Sequence, residues 1–203
     1  MDATEPDTDF AAHAIEASVE HARRVLAAQL PVVEARNYDF MPDFKKMTIE
    51  HFLVGVMWRF GEQFDLPTSP RDRGFVCLMQ ILVNEGMSLR VAKRRIAYLN
   101  ETSRTADGED NLAIAVGHEA GEKEGALATI FDQFRNKPMV SGAPWRLIAR
   151  SKPIAAILSI AGLAISALIG RSWGEALGVS IVIGISTLAI ARAIWGQMVK
   201  AHR

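Results

Sequence analysis

Two uncharged stretches near the C-terminus, residues 153–170 and 176–191, constrain this 203-residue chain more than any other feature. The first is 18 residues long and rich in Ile, Leu and Ala. At a helical rise of ~1.5 Å per residue it reaches roughly 27 Å, close to the thickness of a hydrocarbon core. The second has only 16 residues, but Trp173 and Trp195 bracket it 22 positions apart, about 33 Å along a helix, the spacing of interfacial aromatics. The competing reading is a buried helix pair in a soluble core, yet a core of this size rarely needs two consecutive helices that are apolar all round. The pattern predicts a transmembrane hairpin over residues 153–196.

The charges flanking these stretches predict its orientation. After residue 150 only Lys152, Arg171, Glu175, Arg192, Lys200 and Arg203 are charged, leaving 18 basic and 22 acidic residues in positions 1–150. The balanced total of 23 against 23 thus conceals an acidic body and a basic, apolar tail. The connection 171–175 is too short for anything but a turn, so the two helices run antiparallel. Arg146, Arg150 and Lys152 precede the first helix and Arg192, Lys200 and Arg203 end the second, which places the N-terminal domain and the C-terminus in the cytoplasm, at a bacterial inner membrane. Residues 1–9 are acidic and lack the charged-then-apolar pattern of a secretory signal. Trp145, Trp173, Trp195 and Arg192 are the expected interfacial anchors. Gly162, Ser166 and Gly170 on the first helix, with Gly174 and Gly178 on the second, form small faces that allow close packing within the hairpin or between copies in a homo-oligomer.

The body reads as helical throughout, with no strand-period alternation. Asp9 opens a helix to about Leu30, with Ile15, Val19, Ala22 and Leu26 inward, and Pro31 stops it. Thr48 caps a second helix whose Ile49, Phe52, Leu53, Val56, Phe60 and Phe64 share a face. Ser69, Pro70 and Asp72 open a third, which contains residues 75–83 and ends before Gly86; apolar nearly all round, it is expected at the centre. Ser88 caps a fourth helix to about Asn100, with Leu89, Ala92, Ile96 and Leu99 inward and Arg90, Lys93 and Arg94 outward as a basic contact face. Residues 101–110 read as a solvated loop. Residues 111–135 form a helix or a broken helix pair, in which Gly117, Gly121 and Gly125 make either a close-packing stripe or, slightly favoured by the charged residues around them, a hinge. Residues 137–152 then link this cytoplasmic all-α domain (1–136) to the hairpin, and 197–203 are a short basic tail.

Motifs that carry chemistry are sparse. Cys77 is the sole cysteine, which excludes an internal disulfide framework and cysteine-cluster metal sites, and its apolar neighbours make it a buried thiol. His118 and Glu122 are one helical turn apart and both can ligate a metal, but the second histidine of an H-E-x-x-H motif is missing. Asp107–Asn111 lacks the ligand alternation of an EF-hand. The turn before the basic fourth helix suggests a helix-turn-helix, but Leu82 and Arg95 occupy positions where that motif needs a small and an apolar residue; nucleic acid is disfavoured. No phosphate loop or nucleophile elbow is present.

The sequence therefore leads to an expectation of a non-enzymatic, membrane-anchored interaction or regulatory protein without cofactors, whose partners are the lipid bilayer and an unidentified cytoplasmic protein. The rival expectation is a membrane-active effector whose hairpins oligomerise into a pore, using Ser159, Ser166, Ser180, Ser186 and Thr187 as its polar lining.

Overall fold

The computed structural model describes residues 5–106, 108, 110–137, 140–142 and 146, and, further on, 153–161, 163, 164, 174, 177, 178, 181–183, 185–187, 189, 190 and 193. The chain is all-α, with α1 (Glu5–Ala35), α2 (Pro42–Gly61), α3 (Pro70–Asn84), α4 (Leu89–Thr102), α5 (Leu112–Ala120) and α6 (Ala126–Phe134). Among the described residues the extended pairing is confined to two isolated bridges, Phe40 with Ser141 and Arg104 with Asp110. Two compact units divide the chain, one of Met1–Tyr38 and Pro42–Arg135, the other of Asp39–Met41 and Asn136–Arg203.

In the first unit the central element is α2, not α3 as the apolar run 75–83 suggests. Every residue from 50 to 57 is buried, and α1, α3 and α5 all pack on this helix. By contrast α3 turns Val76 (40% exposed), Gln80 and Asn84 to solvent. Burial on every side of residues 50–57 requires close neighbours, and glycines supply them. A β-carbon on Gly55 would overlap the Ile114 carbonyl and lie 2.7 Å from the His118 amide nitrogen; one on Gly117 would overlap the Phe52 carbonyl and lie 3.2 Å from the Gly55 Cα. The α2 and α5 backbones therefore touch. On the α3 side, a β-carbon on Gly74 would sit 2.8 Å from the Val54 carbonyl oxygen.

Helix ends follow local chemistry in some places and tertiary contacts in others. The Ser69 hydroxyl accepts from the Asp72 amide (3.1 Å), as the capping pattern predicts. At its other end α3 closes in a Schellman arrangement: Gly86 (φ +95°) donates to Val83 and Met87 donates to Leu82, each at 3.0 Å. Two expected boundaries move. Helix α2 starts at Pro42, a proline at the first helical position, which leaves Thr48 buried inside the helix rather than capping it. Helix α1 runs through Pro31 to Ala35, although an internal proline costs about 3 kcal/mol. Opposing that cost, Gln29 two residues earlier is buried and bonded at both ends of its amide: Nε2 donates to Gly121 O (3.1 Å) and Lys123 O (2.7 Å), and Oε1 accepts from Leu127 N (3.2 Å).

That clasp also decides the glycine question between α5 and α6. Gly117 packs against α2, Gly121 caps α5, and Gly125 takes the left-handed conformation (φ +75°) that starts α6. A turn held by Gln29 through three bonds is a fixed corner, so the slight preference for a hinge is replaced by packing plus a left-handed turn. Leu89, expected inward, is 52% exposed. The loop after α4 is anchored rather than freely solvated at its ends, because Ser103 and Asp110 both bond the buried Arg71.

In the second unit, residues 140–142, expected as part of a linker, pair with 39–41. Met41 N donates to Val140 O (3.0 Å), Gly142 N donates to Asp39 O (2.9 Å), and Arg146 forms an ion pair with Asp39. Residues 153–161 are helical, and no helix among the described residues is long and apolar enough to cross a membrane.

The glycine contact makes a prediction against helix propensity. Alanine favours a helix over glycine by ~1 kcal/mol, yet Gly55→Ala and Gly117→Ala should each lower the thermal midpoint of the full-length protein, by the equivalent of roughly 2–4 kcal/mol of strain. Gly178→Ala, where a β-carbon meets nothing within 4 Å, should leave it unchanged. An unchanged midpoint for both Gly55→Ala and Gly117→Ala would disprove the backbone contact.

Candidate functional site

Ionisable side chains gather in one cleft, bounded by α1, α2, the C-terminal half of α5 and the corner that follows it. Its cavity is about 260 Å³, and its lining includes His21, Arg59, His118, Glu119, Glu122 and Lys123. His118 and Glu122, the candidate metal pair, are drawn to different partners. The His118 Nε2 lies 2.8 Å from Oε1 of Glu62, the residue after α2, and Glu122 lies 3.3 Å from His21 Nε2 of α1. Glu62 also accepts from Arg59 (2.8 Å), and its carboxyl is held below the ordinary range chiefly by the His118 bond. The His118 ring leans on Trp58, with centroids 4.4 Å apart. His21 stacks on Phe60 at 4.3 Å, and its pKa is lowered by burial despite the opposing pull of Glu122.

This arrangement can exchange protons at the surface, but it assembles little else. The cavity is below the ~300–1,000 Å³ usual for organic ligands, and its lining carries no serine, threonine or cysteine. Among the described residues no group of three or more His, Cys, Asp or Glu side chains could hold a metal ion. Glu122 is 76% exposed, so its pairing with His21 contributes little to stability.

Inside the first unit lies a polar network that sequence reasoning did not find. His51 is buried on α2 with both ring nitrogens engaged. Nε2 donates to the Leu99 carbonyl (3.0 Å) of α4, which leaves Nδ1 to accept from the Asn111 amide (2.9 Å). Asn111 cannot turn its amide over without loss, because its Oδ1 already accepts from Ile114 N (3.1 Å) as the N-cap of α5. Arg71 reaches Asp110 (2.8 Å), Asn100 (3.1 Å) and Ser103 (2.5 Å), and its guanidinium lies 5.1 Å from the Phe75 ring centroid. Arg73 donates to the carbonyls of Gly61 (2.7 Å) and Phe64 (3.1 Å), closing the C-terminal end of α2. These groups are structural. The signal that could have revealed them is the presence of charged residues within helices that are otherwise apolar, which requires partners.

The remaining candidates divide by position. Arg90, Lys93 and Arg94 are exposed on α4 as expected, whereas Arg95 turns inward to pair with Glu50. Val91 and Tyr98 are also exposed, so this face is basic and partly apolar. Gly174 and Gly178 are helical and exposed, and a β-carbon at either would meet nothing within 4 Å. Among the described residues neither is a point of close approach. Gly162, Ser166, Gly170, Trp145, Trp173, Trp195 and Arg192 lie outside the described residues. Cys77 is buried, and desolvation pushes its thiol up to about 11. Comparison with protein families, curated proteins and solved structures finds no match for this chain.

The His51 network gives a pH dependence with a definite sign. Burial lowers the His51 pKa, outweighing the opposing effect of the Leu99 bond. Below about pH 6.5 the unfolded chain takes up a proton that the folded one refuses. Stability is therefore full above that pH and is lost as pH falls toward the folded-state pKa, by at most about 1.4 kcal/mol per pH unit for this group. His21, also lowered, acts in the same direction. The thermal midpoint should fall between pH 7.5 and 5.5, and Asn111→Asp, which offers His51 an acceptor instead of a donor, should flatten the slope. An equal slope in wild type and Asn111→Asp would remove His51 from this role.

Proposed function

We propose that this is a membrane-anchored helical interaction protein, in which the apolar C-terminal segment holds an all-α body at a bilayer and the body meets a partner. The observation that supports it most is the solvation of the C-terminal segment. Ile157, Ile160, Val182, Ile185 and Ile190 are each 60–70% exposed. Such a set of large aliphatic side chains has no counterpart on α1–α6, where the exposed apolar residues are isolated or interleaved with charges. In water it is an aggregation hazard; hydrocarbon is a solvent in which it costs nothing. The flanking Trp and Arg residues and the charge asymmetry of the sequence are those of a hairpin with both ends on the cytoplasmic side.

An anchor is favoured over a pore by Thr187. Its hydroxyl donates to the Ile183 carbonyl one turn back (2.9 Å) and so serves its own helix rather than a channel. A contact role for the body, rather than catalysis, is supported by the use of its buried polar groups as internal clasps. On α4 the exposed Arg90, Lys93 and Arg94, beside Val91 and Tyr98, suit an acidic partner surface.

Membrane anchoring is tested by extraction. The full-length protein should stay in the membrane fraction through alkaline carbonate and leave only with detergent. In a Cys77→Ser background, Ser172→Cys should react with an impermeant thiol reagent applied from the non-cytoplasmic side. A full-length protein released by carbonate would overturn the anchor, and labelling of residue 172 only after lysis would overturn the orientation. Joint reversal of Arg90, Lys93 and Arg94 to Glu should abolish co-purification of the partner while membrane retention persists.

A further inference from the structure

One face of α3 is left uncovered between its neighbours. Arg71 reaches Asn100 of α4, Gly74 lies against Val54 of α2, and the Cys77 sulfur meets the Ile15 carbonyl of α1. At about 100° per residue those three directions leave a single arc of the helix open. Val76, Met79 and Val83 fall in it, at the i, i+3, i+7 spacing of a helix-packing seam. Val76 is 40% exposed, and Met79 and Val83 are half-buried. Helices α1 and α4 therefore border this seam on opposite sides.

The two borders differ in charge. Between α1 and α3 runs a groove of about 620 Å³, with Ile15 and Val19 in its lining and Glu16, Glu20 and Arg23 exposed along it. Two carboxylates stand there against one guanidinium. On α4 the exposed Leu89, Arg90, Lys93 and Ala97 fall within about 100° of arc, the arc that also holds Asn100, where α4 meets α3. Among the described residues none of Glu16, Glu20, Arg90 and Lys93 makes an ion pair.

An apolar seam with an acidic border and a basic border complements itself in one of two symmetric orientations. A two-fold axis running along α3 lays the seam on its own copy and α1 of each chain over α4 of the other, acid on base twice. An axis running across α3 lays α1 on α1 and α4 on α4, and opposed like charges are costly. We propose that the partner of this body is a second copy of the chain, joined through α3 in the first orientation. Val76, Met79 and Val83 meet their own counterparts, and Glu16 and Glu20 face Arg90 and Lys93 of the other copy. This assignment rests on the reading of α4 as a surface for an acidic partner and names that partner; it does not depend on the membrane anchor.

The test uses two differently tagged full-length copies, co-expressed, solubilised in mild detergent and recovered through one tag. Wild-type copies should recover each other. The double variants Glu16→Lys, Glu20→Lys and Arg90→Glu, Lys93→Glu should each recover their own kind roughly tenfold less well, because each then opposes like charges at both borders. The two variants mixed should recover each other at the wild-type level, since every reversed border then meets its opposite, a rescue that a misfolded variant would not show. In a Cys77→Ser background, Val76→Cys and Val83→Cys should each be joined to its own counterpart by a short bismaleimide, because residues on an axis along α3 face themselves. Self-recovery indifferent to both double variants, or no rescue on mixing them, would overturn the interface. Crosslinks formed only between residue 76 of one copy and residue 83 of the other would overturn its orientation, and none at either position would overturn the seam. If reversal of Arg90 and Lys93 releases a different protein while self-recovery is unchanged, the acidic-partner reading of α4 stands and the second copy is overturned; if it changes neither, both fall.

Discussion

The burial of residues 50–57 of α2 on all sides is the constraint from which the first unit is built. A helical segment with no solvent face must satisfy each of its polar residues from neighbouring elements, because an unpartnered buried group costs far more than a single bond returns. Glu50 therefore requires Arg95 of α4, and His51 requires both the Leu99 carbonyl and Asn111 at the start of α5. Gly55 and Gly117 remove the last separation between α2 and α5. Packing density and polar satisfaction are solved together at the same helix.

The same logic explains why the long polar side chains of the body lie across junctions between elements. Gln29 holds the corner between α5 and α6, Arg71 ties the loop before α5 to α3 and α4, and Arg73 closes the end of α2. Each supplies donors to groups that local helix geometry leaves open. Among the described residues one buried side-chain oxygen, on Glu50, lacks such a partner. The histidine cleft closes its own pairs.

The two units present apolar residues in opposite ways. In the first, large aliphatic and aromatic side chains such as Phe52, Leu78, Ile130 and Phe131 are buried almost completely. In the second, comparable residues stand exposed along helical segments with few charges. That contrast, rather than any motif, carries the functional proposal.

Much of the secondary structure was legible because its signals act over a few residues. Ser69, Pro70 and Asp72 announced the start of α3, Gly86 its end, and the 3.6-residue period marked α1 and α4. The all-α class and the outward placement of Arg90, Lys93 and Arg94 came from the same short-range information. Pro31 and Thr48 misled because a proline or a cap is only a local preference, which contacts from distant residues can override. Which helix is central, whether Gly117 packs or bends, and where His118 and Glu122 turn were decided by neighbours some 55 to 100 positions away along the chain: Gly55, Glu62 and His21. Sequence spacing encodes what a helix presents on each face. It does not encode which face of which other helix will meet it, because that is chosen by the joint minimum of buried area, clash and unsatisfied polar groups over the whole fold.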